Sequence, residues 1–331
     1  MEIVYFHRRG GKGKVSIEEN FKPIINAIST SNSVKTFRVP YSGSNPYNLI
    51  RNIIFIWKHS TRIGVNHITG DIHYGILGLI GKKSVLTIHD DYAMRKVHHG
   101  VIDKFYKWLF WIYFPIKYAD APICTTPATL DNIRKYYNSS KLQVITHHVV
   151  PDSLVPIYKP FCKECPRFLQ VGTDVNKNLE TTLRTIAKIR CKLVVLKPMS
   201  EEQKALAMRL KIDYENKYDL PYEEVIKEYQ RCDIVLFPSL YEGLGVPIFE
   251  GQAAGKPVIT TNKDPMKWVA GDGAVLLNDP LDTNEYLEKL LKLINDDDFR
   301  NNIIVKGVQN AKRFSLNEAV QKYDFLYKTL I

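Results

Sequence analysis

The sequence predicts an α/β protein built from two doubly wound, parallel sheets, one in each half of the chain. Short runs rich in Val and Ile alternate with helical stretches in both halves, the pattern of parallel sheets covered by helices. A segment without periodicity, punctuated by Pro151, Pro160 and Pro166, separates the halves. The 331 residues are enough for two domains with separate cores.

The first half contains apolar runs bounded by Gly, Asp, Ser or Pro, and each run is predicted to be a strand. These strands are Glu2–Phe6, Val34–Val39, Gly64–Ile68, Ser84–Ile88, Ala121–Cys124 and Leu142–Thr146. Helical stretches, such as Ser16–Ser31 and Asn45–His59, separate most of them.

The same alternation restarts after the Pro-punctuated segment. The predicted strands are Arg167–Val171, Lys192–Leu196, Cys232–Phe237, Pro257–Thr261 and Ala274–Leu277. The predicted helices are Leu179–Arg190, Glu201–Arg209, Tyr222–Gln230 and Pro247–Ala254.

These elements predict two Rossmann-like domains, over residues 1–150 and 167–314, joined by a linker over residues 151–166. A last helix, Leu316–Leu330, is expected to return toward the first domain within residues 315–331. Ligands of open parallel sheets bind beyond the carboxyl ends of the strands. Two such domains are therefore expected to face each other across a central cleft that holds the ligand.

The charge is unevenly distributed along the chain. Residues 1–150 contain 20 Lys/Arg and 9 Asp/Glu, a balance of +11, whereas residues 151–331 contain 26 of each. A basic first half suits an anionic partner: nucleic acid, a phosphorylated small molecule or an anionic membrane surface. A basic surface that is merely solvated is the alternative. The sequence contains no helix-turn-helix, zinc-finger or aromatic RNA-binding signature, so a nucleic-acid partner is not expected.

The N-terminus, MEIVYFHRRGGKGK, does not have the pattern of a signal peptide, because charges follow its short apolar run at once. The uncharged run Trp108–Ile116 is far shorter than the roughly 20 residues of a spanning helix. A cytoplasmic location is therefore expected. Five scattered cysteines argue against a disulfide framework. Cys162 and Cys165 form a C-x-x-C that, with His147 and His148, could supply zinc ligands, but unpaired thiols are the favoured interpretation.

The most informative segment is 232–262, CDIVLFPSLYEGLGVPIFEGQAAGKPVITTN. A buried strand, a Gly-bearing turn, a helix beginning near Pro247 and a second strand follow in order, with Gly255 at the helix end. The backbone N–H groups of Gly243, Leu244, Gly245 and Val246 are expected to be unpaired at the helix start. Such a helix start suits a phosphate or pyrophosphate.

Two carboxylates flank this predicted anion site. Glu242 lies in the loop and Glu250 lies one turn inside the helix. Carboxylates accept hydrogen bonds from sugar hydroxyls, so the pair suits a nucleotide-sugar. The alternative is that both are ordinary acids near a helix start, where the helix dipole favours them.

With Glu242 and Glu250 separated by seven residues, SLYEGLGVPIFEGQAAGKPVI resembles the signature of glycosyltransferase family four, which has the GT-B fold. PRFLQVGTDVNKNLETTLRTI resembles the opening of that family's donor domain, and VLTIHDD its acceptor-domain loop with a histidine. VSIEENF resembles the family's first helix, and GDIHYGILGLIGKKSVLTIHD resembles polysaccharide-building members. The resemblance covers nearly the whole chain and is strongest over Gly172–Asn178 and Cys232–Asn262.

The resemblance assigns roles to residues in the second half of this chain. It implies that Glu250 binds the nucleotide ribose, that Glu242 contacts hydroxyls of the donor sugar and that Lys177 grips the pyrophosphate. The family usually has an arginine shortly after the glycine that matches Gly172, whereas this chain has Thr173.

The resemblance also implies that His89, in the first half, borders the transferred sugar. The Gly-rich segment after the first strand, with Gly11 and Gly13, is implied to lie near the donor phosphate. We hypothesise that Arg8, Arg9 or Lys12 on this segment replaces the missing arginine.

The implied function is a retaining, metal-independent hexosyltransferase that needs no cofactor. Its donor would be a GDP-, UDP- or dTDP-linked sugar, and its acceptor a glycan or lipid-linked molecule in bacterial surface polysaccharide synthesis. The aromatic and basic stretch Asp103–Tyr118 is either a core helix or a contact with the inner membrane face. Because of Thr173, a non-catalytic subunit that binds a nucleotide-sugar is the alternative function.

Overall fold

The computed structural model describes residues 1–9, 16–95 and 100–331. The described chain divides into two compact units. Unit 1 comprises Met1–Val149 together with Leu316–Ile331, and unit 2 comprises Val150–Ser315. Each unit contains one parallel six-stranded sheet with helices on both faces.

The sheet of unit 1 has the strand order β2-β1-β3-β4-β5-β6, and all of its pairings are parallel. Its strands are β1 Glu2–His7, β2 Ser33–Arg38, β3 Val65–Ile68, β4 Ser84–Ile88, β5 Ala121–Cys124 and β6 Gln143–Val144. Its α-helices are α1 Ser16–Ser29, α2 Pro46–His59, α3 Tyr92–Arg95, α4 Gly100–Lys107, α5 Phe114–Tyr118, α6 Pro127–Tyr136 and α14 Leu316–Leu330. A 3₁₀ segment covers His73–Leu79, and π-helical turns cover Trp108–Tyr113.

The alternation of side chains along β1 builds two cores, one on each face of this sheet. Ile3 and Tyr5 point to a core that contains residues of α1 and α14. Val4 and Phe6 point to the opposite core, which contains residues of α2 and α5. Because the central strands are buried on both faces, their sequences are continuous apolar runs rather than alternating ones.

The C-terminal helix α14 completes the first of these cores. Its buried residues Ala319, Tyr323 and Tyr327 belong to the same cluster as Phe21 of α1. The Tyr327 hydroxyl lies 3.0 Å from the Tyr5 hydroxyl and 2.6 Å from Nδ1 of His67. The last helix is therefore part of unit 1 although the whole of unit 2 separates it from the rest of that unit in the sequence.

The sheet of unit 2 has the order β12-β11-β10-β7-β8-β9 and is also parallel. Its strands are β7 Arg167–Val171, β8 Lys192–Leu196, β9 Asp213–Lys217, β10 Ile234–Phe237, β11 Val258–Thr261 and β12 Val275–Leu277. Its α-helices are α7 Leu179–Ile186, α8 Glu201–Arg209, α9 Tyr222–Arg231, α10 Val246–Ala253, α11 Met266–Ala270, α12 Thr283–Asn295 and α13 Asp297–Ala311. Short 3₁₀ segments cover Val175–Lys177 and Lys312–Phe314.

The observed elements differ from the predicted ones in a few places. Strand β9, DYENK, was not predicted, because an edge strand of mostly polar residues lacks an apolar run. The helix predicted over Leu179–Arg190 ends at Ile186, since residues 187–191 form the turn into β8. The strand predicted over Leu142–Thr146 is only Gln143–Val144. None of the helices in the described ranges has the length and apolar character needed to cross a bilayer.

Residues 151–166, predicted as a linker, have no regular structure and belong to unit 2. The Lys159 ammonium lies 2.8 Å from the buried carboxylate of Asp233. The Lys256 ammonium donates to the Ile157 carbonyl at 3.1 Å. These contacts fix the segment on the edge of unit 2 from which β10 and β11 begin.

Unit 1 contains a cluster of buried histidines. His147 stacks on Phe21 with ring centroids 4.5 Å apart, and the centroid of its ring is 4.2 Å from that of His148. Neither ring nitrogen of His147 has a hydrogen-bond partner among the described residues. Burial lowers the pKa of His67 and His147 well below the usual value and lowers the pKa of His148 to about 3. These side chains are neutral in the folded protein at neutral pH.

Acidification is expected to reduce the stability of unit 1. The unfolded chain protonates its histidines near the usual pKa of 6.5, whereas burial lowers the pKa of folded His148 to about 3. Below about pH 6.5 the unfolded state therefore binds more protons, and the free energy of unfolding falls as the pH falls. Thermal unfolding followed from about pH 7 to about pH 5 measures this slope.

His147→Phe should flatten this pH dependence, because phenylalanine keeps the stack on Phe21 and binds no proton. Exposed His59→Asn is the matched control and should leave the slope unchanged. Equal slopes in the parent chain and His147→Phe would contradict the account.

Candidate functional site

The loop between β10 and α10 contains backbone N–H groups that have no hydrogen-bond partner among the described residues. Gly245 begins the helix with φ of 101°, a left-handed conformation that favours glycine. Among the described residues, none accepts a hydrogen bond from the N–H groups of Gly243, Leu244 or Gly245. Gly243 is exposed, and a Cβ added there would meet no atom within 4 Å. The loop therefore offers unpaired donors at the N-terminus of a helix, where an anion is favoured.

Close packing on the sheet fixes the position of helix α10. A Cβ added at Gly251 would lie 2.9 Å from methyl carbons of both Val235 and Val258, so glycine lets the helix approach β10 and β11. Leu244 and Ile248 are buried in the same core and anchor the helix start. Gly255, with φ of 71°, follows the helix, as the sequence predicted.

An ion pair joins this loop to the loop after β7. The Lys177 ammonium lies 2.6 Å from Oε1 of Glu242, and their side chains are 19% and 11% exposed. The backbone N–H of Leu240 donates to the Asn176 carbonyl at 2.8 Å, and the Asn176 amide donates to the Tyr241 carbonyl at 3.0 Å. The structure thus brings two of the predicted site residues, Lys177 and Glu242, into direct contact.

Close contacts with Gly172 and Phe237 restrict the position of the Lys177 side chain. It crosses Gly172, where an added Cβ would lie 2.8 Å from Lys177 Cγ, and Gly172 has φ of 98°. The ammonium lies 5.0 Å from the centroid of the Phe237 ring, which provides an apolar wall. A cation that is little exposed and lies beside an aromatic face interacts more strongly with an anion than one in open water.

Glu250 lies in a different environment from Glu242. It is buried, and the Tyr222 hydroxyl at the start of α9 donates to its carboxylate. Burial raises the pKa of the Glu250 carboxyl, while the hydrogen bond from Tyr222 acts in the opposite direction. Each of the two predicted carboxylates therefore already has a protein partner: a cation for Glu242 and a phenol for Glu250.

Thr173 is uncharged and is fixed by two hydrogen bonds. Its hydroxyl donates to the Pro198 carbonyl at 2.6 Å, and its carbonyl accepts from the Gln203 side chain at 2.8 Å. These bonds tie the loop after β7 to the connection between β8 and α8 and to α8 itself. Thr173 therefore stabilises the conformation of this loop but adds no positive charge to the site.

The remaining predicted residues belong to unit 1. His89 is partly buried, with Nε2 2.6 Å from the Thr69 carbonyl, and burial is the main cause that lowers its pKa to about 4. His89 is therefore neutral at neutral pH. Arg9 is exposed and donates to the Pro40 carbonyl at 2.8 Å. Gly11, Lys12 and Gly13 lie outside the described residues.

The stretch 103–118, for which a core helix and a membrane contact were both considered, divides into two parts. Trp111, Ile112 and Ile116 are buried in the core of unit 1. The first part, from Asp103 to Lys107, belongs to helix α4. This helix leaves Phe105, and Val101 and Ile102 just before the stretch, exposed to solvent.

The five cysteines are all free, and Cys162 of the C-x-x-C is exposed. Within the part of the chain that the structure describes, no group of three or more His, Cys, Asp or Glu side chains is arranged to hold a metal ion.

Sequence reasoning missed three contributors to this site: Tyr222, Asn176 and Phe237. Tyr222 is 28 residues before Glu250, and only the packing of α9 beside α10 brings them together. Asn176 adjoins Lys177 and could have been suspected from that position alone. Phe237 was assigned only as the end of a buried strand, because a core position gave no sign of its contact with a lysine.

Most of unit 2 is similar in sequence to a known protein family. Residues 163–310 match the family model of glycosyl transferases group 1. The O-antigen chain mannosyltransferase B of Escherichia coli is 34% identical over 112 residues, 34% of this chain and 28% of that protein. The match thus spans less than a third of that relative's length.

Solved structures are similar over nearly the whole chain. Anabaena Alr3699/HepE in complex with UDP has a TM-score of 0.77 at 13% identity and covers 99% of this chain and 100% of its own. Sucrose-phosphate synthase from Thermosynechococcus elongatus has a TM-score of 0.74 at 15% identity, covering 99% and 98%. At these identities the likeness shows the fold, and it confirms the predicted pair of Rossmann-like α/β domains of the GT-B class.

Tyr222→Phe is expected to destabilise the chain more at about pH 7 than at about pH 5. At pH 7 the substitution removes a hydrogen bond from a buried carboxylate, which costs about 1–3 kcal/mol. Because burial raises the pKa of Glu250, this carboxyl takes up a proton at a higher pH than an exposed one, and the neutral form depends less on Tyr222. Urea unfolding at the two pH values measures the difference.

The matched control is Tyr158→Phe, since the Tyr158 side chain is exposed. This variant should match the parent chain at both pH values. An equal loss for Tyr222→Phe at both pH values would refute the assigned role of Tyr222.

Proposed function

We propose that the chain is a glycosyltransferase that moves a hexose-type sugar from a nucleotide-sugar donor to a glycan or lipid-linked acceptor. The observation that carries the proposal is the Lys177–Glu242 ion pair beside the unpaired amides of Gly243 to Gly245. It lies inside the segment that matches glycosyl transferases group 1. Together these groups provide a cation, fixed donors and a carboxylate in one place.

The donor diphosphate would bind where Lys177 and the loop amides converge. An anion there exchanges its hydration for fixed donors and a nearby cation, and Glu242 is released toward the hydroxyls of the donor sugar. Glu250, which accepts a hydrogen bond from Tyr222, would accept from the ribose. Thr173, after β7, and Val246, at the start of α10, would also line the donor site. UDP, GDP and dTDP are the candidate nucleotides, and UDP is the one bound in the HepE structure.

Sugar transfer breaks the bond between the anomeric carbon and the diphosphate, and negative charge grows on the leaving group. Lys177 and the loop amides would stabilise that charge without rearranging, the most effective form of electrostatic catalysis. We propose transfer with retention of configuration and without a metal, with the leaving phosphate helping to deprotonate the acceptor. In unit 1, His89 is proposed to border the transferred sugar and Arg9 to approach the donor phosphate, with Gly11 and Gly13.

A role in bacterial surface polysaccharide synthesis is supported by the O-antigen mannosyltransferase relative. The alternative function is a non-catalytic subunit that binds a nucleotide-sugar, and Thr173 in place of the family's arginine favours it. Hydrolysis of a nucleotide-sugar by the purified chain discriminates the two functions. A catalytic site releases nucleotide slowly without an acceptor, whereas a binding subunit releases none.

Lys177→Ala is expected to lower turnover by about a hundredfold or more, the order seen when one oxyanion donor is lost. The measurement is nucleotide release from a panel of GDP-mannose, UDP-hexoses and dTDP-rhamnose. Lys204→Ala is the matched control, because Lys204 forms an ion pair with the exposed Glu201 in the same unit. A loss below about threefold for Lys177→Ala would count against the role of Lys177.

Arg8→Ala and Arg9→Ala test whether unit 1 supplies the missing positive charge. We expect at least one of them to lower turnover about tenfold, since a cation beside a diphosphate stabilises the developing charge. Exposed Arg134→Ala on α6 is the control for a general loss of positive charge. Near-normal rates in both variants would end the hypothesis that these arginines replace the one absent at Thr173.

A further inference from the structure

Helix α2 of unit 1 carries large apolar side chains on its solvent-facing side. Tyr47, Ile50, Ile54 and Trp57 are 60%, 56%, 45% and 54% exposed. Their spacing of three and four residues places them on one face of the helix. The opposite face is already used, because Leu49, Asn52 and Ile56 are buried against the sheet. The exposed apolar residues are therefore a second face of the helix, which we call the α2 stripe.

Hydrogen bonds at the N-terminus of α2 and on its buried face hold this helix in place. Asn45 caps the helix by accepting from the backbone N–H of Asn48 at 2.9 Å. The buried Asn52 side chain donates to the Tyr41 carbonyl at 2.9 Å and to the Tyr74 hydroxyl at 2.8 Å. A helix held in this way presents the α2 stripe as a fixed surface, and no rearrangement is needed to expose it.

Basic residues surround the α2 stripe. Arg51 and Lys58 share the outer face of the helix by their spacing from Tyr47 and Ile54. Lys82 donates to the Trp57 carbonyl at 3.0 Å, and its ammonium lies 5.8 Å from the centroid of the Trp57 ring. Residues 20–70 contain six Lys/Arg and no Asp/Glu. All charged side chains of this segment, which contains α2, are thus basic.

Two aromatic side chains lie near the ends of the α2 stripe, and each is associated with a cation. The Arg51 guanidinium lies 5.1 Å from the centroid of the Tyr47 ring and donates to the Tyr47 hydroxyl at 2.6 Å. Trp57, near the other end, has Lys82 beside its ring. Tyrosine and tryptophan rings with nearby basic groups suit the boundary between lipid headgroups and acyl chains.

The exposed apolar surface extends beyond α2. Ile80, which follows the 3₁₀ segment, is exposed next to Lys82. The Tyr106 hydroxyl of α4 donates to the Ser44 carbonyl at 2.8 Å, so α4 lies against the loop that precedes α2. Helix α4 contributes its own exposed Ile102 and Phe105. Isolated exposed apolar residues are ordinary, but a helical row of them with further apolar side chains nearby indicates an interaction surface.

We propose that the α2 stripe docks on an anionic lipid bilayer, with α2 lying in the plane of the interface. The apolar side chains would enter the headgroup boundary, while Arg51, Lys58 and Lys82 would reach the lipid phosphates. Positive charge of one sign favours an anionic surface over a second copy of the chain, whose equally basic stripe would be repelled. This partner goes beyond the sugar transfer proposed above and does not depend on the donor site in unit 2.

Flotation of the full chain with lipid vesicles tests the proposal. At low ionic strength the chain should float with vesicles of phosphatidylcholine and phosphatidylglycerol, and far less with phosphatidylcholine alone. High salt should release it, since the basic contribution is screened. The tryptophan fluorescence of the chain should shift to the blue on binding, because the Trp57 ring leaves water.

The variant Ile50→Glu with Ile54→Glu should reduce flotation by at least about tenfold, because it puts two negative charges on the face that meets the lipid. The matched control is Val305→Glu, which adds a charge at an exposed apolar site on α13 of unit 2. It should float like the parent chain. Circular dichroism and nucleotide binding should be unchanged in both variants, so a loss of flotation is distinct from unfolding or from failure of the donor site.

Absence of flotation with anionic vesicles overturns the proposal. Equal flotation of the doubly substituted variant and the parent chain also overturns it. If light scattering shows a dimer that the double substitution dissociates, the α2 stripe is instead a contact between two copies.

Discussion

The ion pair between Lys177 and Glu242 is the interaction on which the proposed chemistry depends. It joins the loop after β7 to the loop before α10, and these loops follow strands that are neighbours in the sheet of unit 2. The pair is only slightly exposed, so neither charge is fully hydrated. A diphosphate that offers Lys177 a second anion and the loop amides an acceptor can compete with Glu242 for the lysine. The pair therefore keeps the cation in position and leaves the carboxylate available for a sugar hydroxyl.

Glycine makes this arrangement sterically possible at two positions. At Gly172 the chain takes a left-handed conformation, and the Lys177 side chain fills the space that a Cβ would need. At Gly245 the same conformation begins α10 and leaves the preceding amides without partners. The cation and the amides are thus placed by backbone geometry, and the packing of α10 on β10 and β11 makes that geometry rigid.

Much of the fold could be predicted from the sequence, because buried parallel strands are apolar runs with clear ends. Strands β4, β5, β7 and β8 begin and end at the predicted residues. Strand β9 was missed because its polar residues lie at a sheet edge. In the site, the glycines before α10 and Glu242 could be selected from local pattern, and Lys177 from the family resemblance. The contact between Tyr222 and Glu250 could not, because it depends on the packing of two helices. The α2 stripe was also missed, since an apolar pattern does not tell which face of a helix is buried.

The most direct test of the central claim is a crystal structure of the chain with a nucleoside diphosphate. The account predicts that a phosphate oxygen lies within hydrogen-bond distance of Lys177 Nζ and of the amides of Gly243 to Gly245, with Glu242 released from the lysine. A nucleotide bound elsewhere, with the Lys177–Glu242 pair intact and the amides unoccupied, would contradict it.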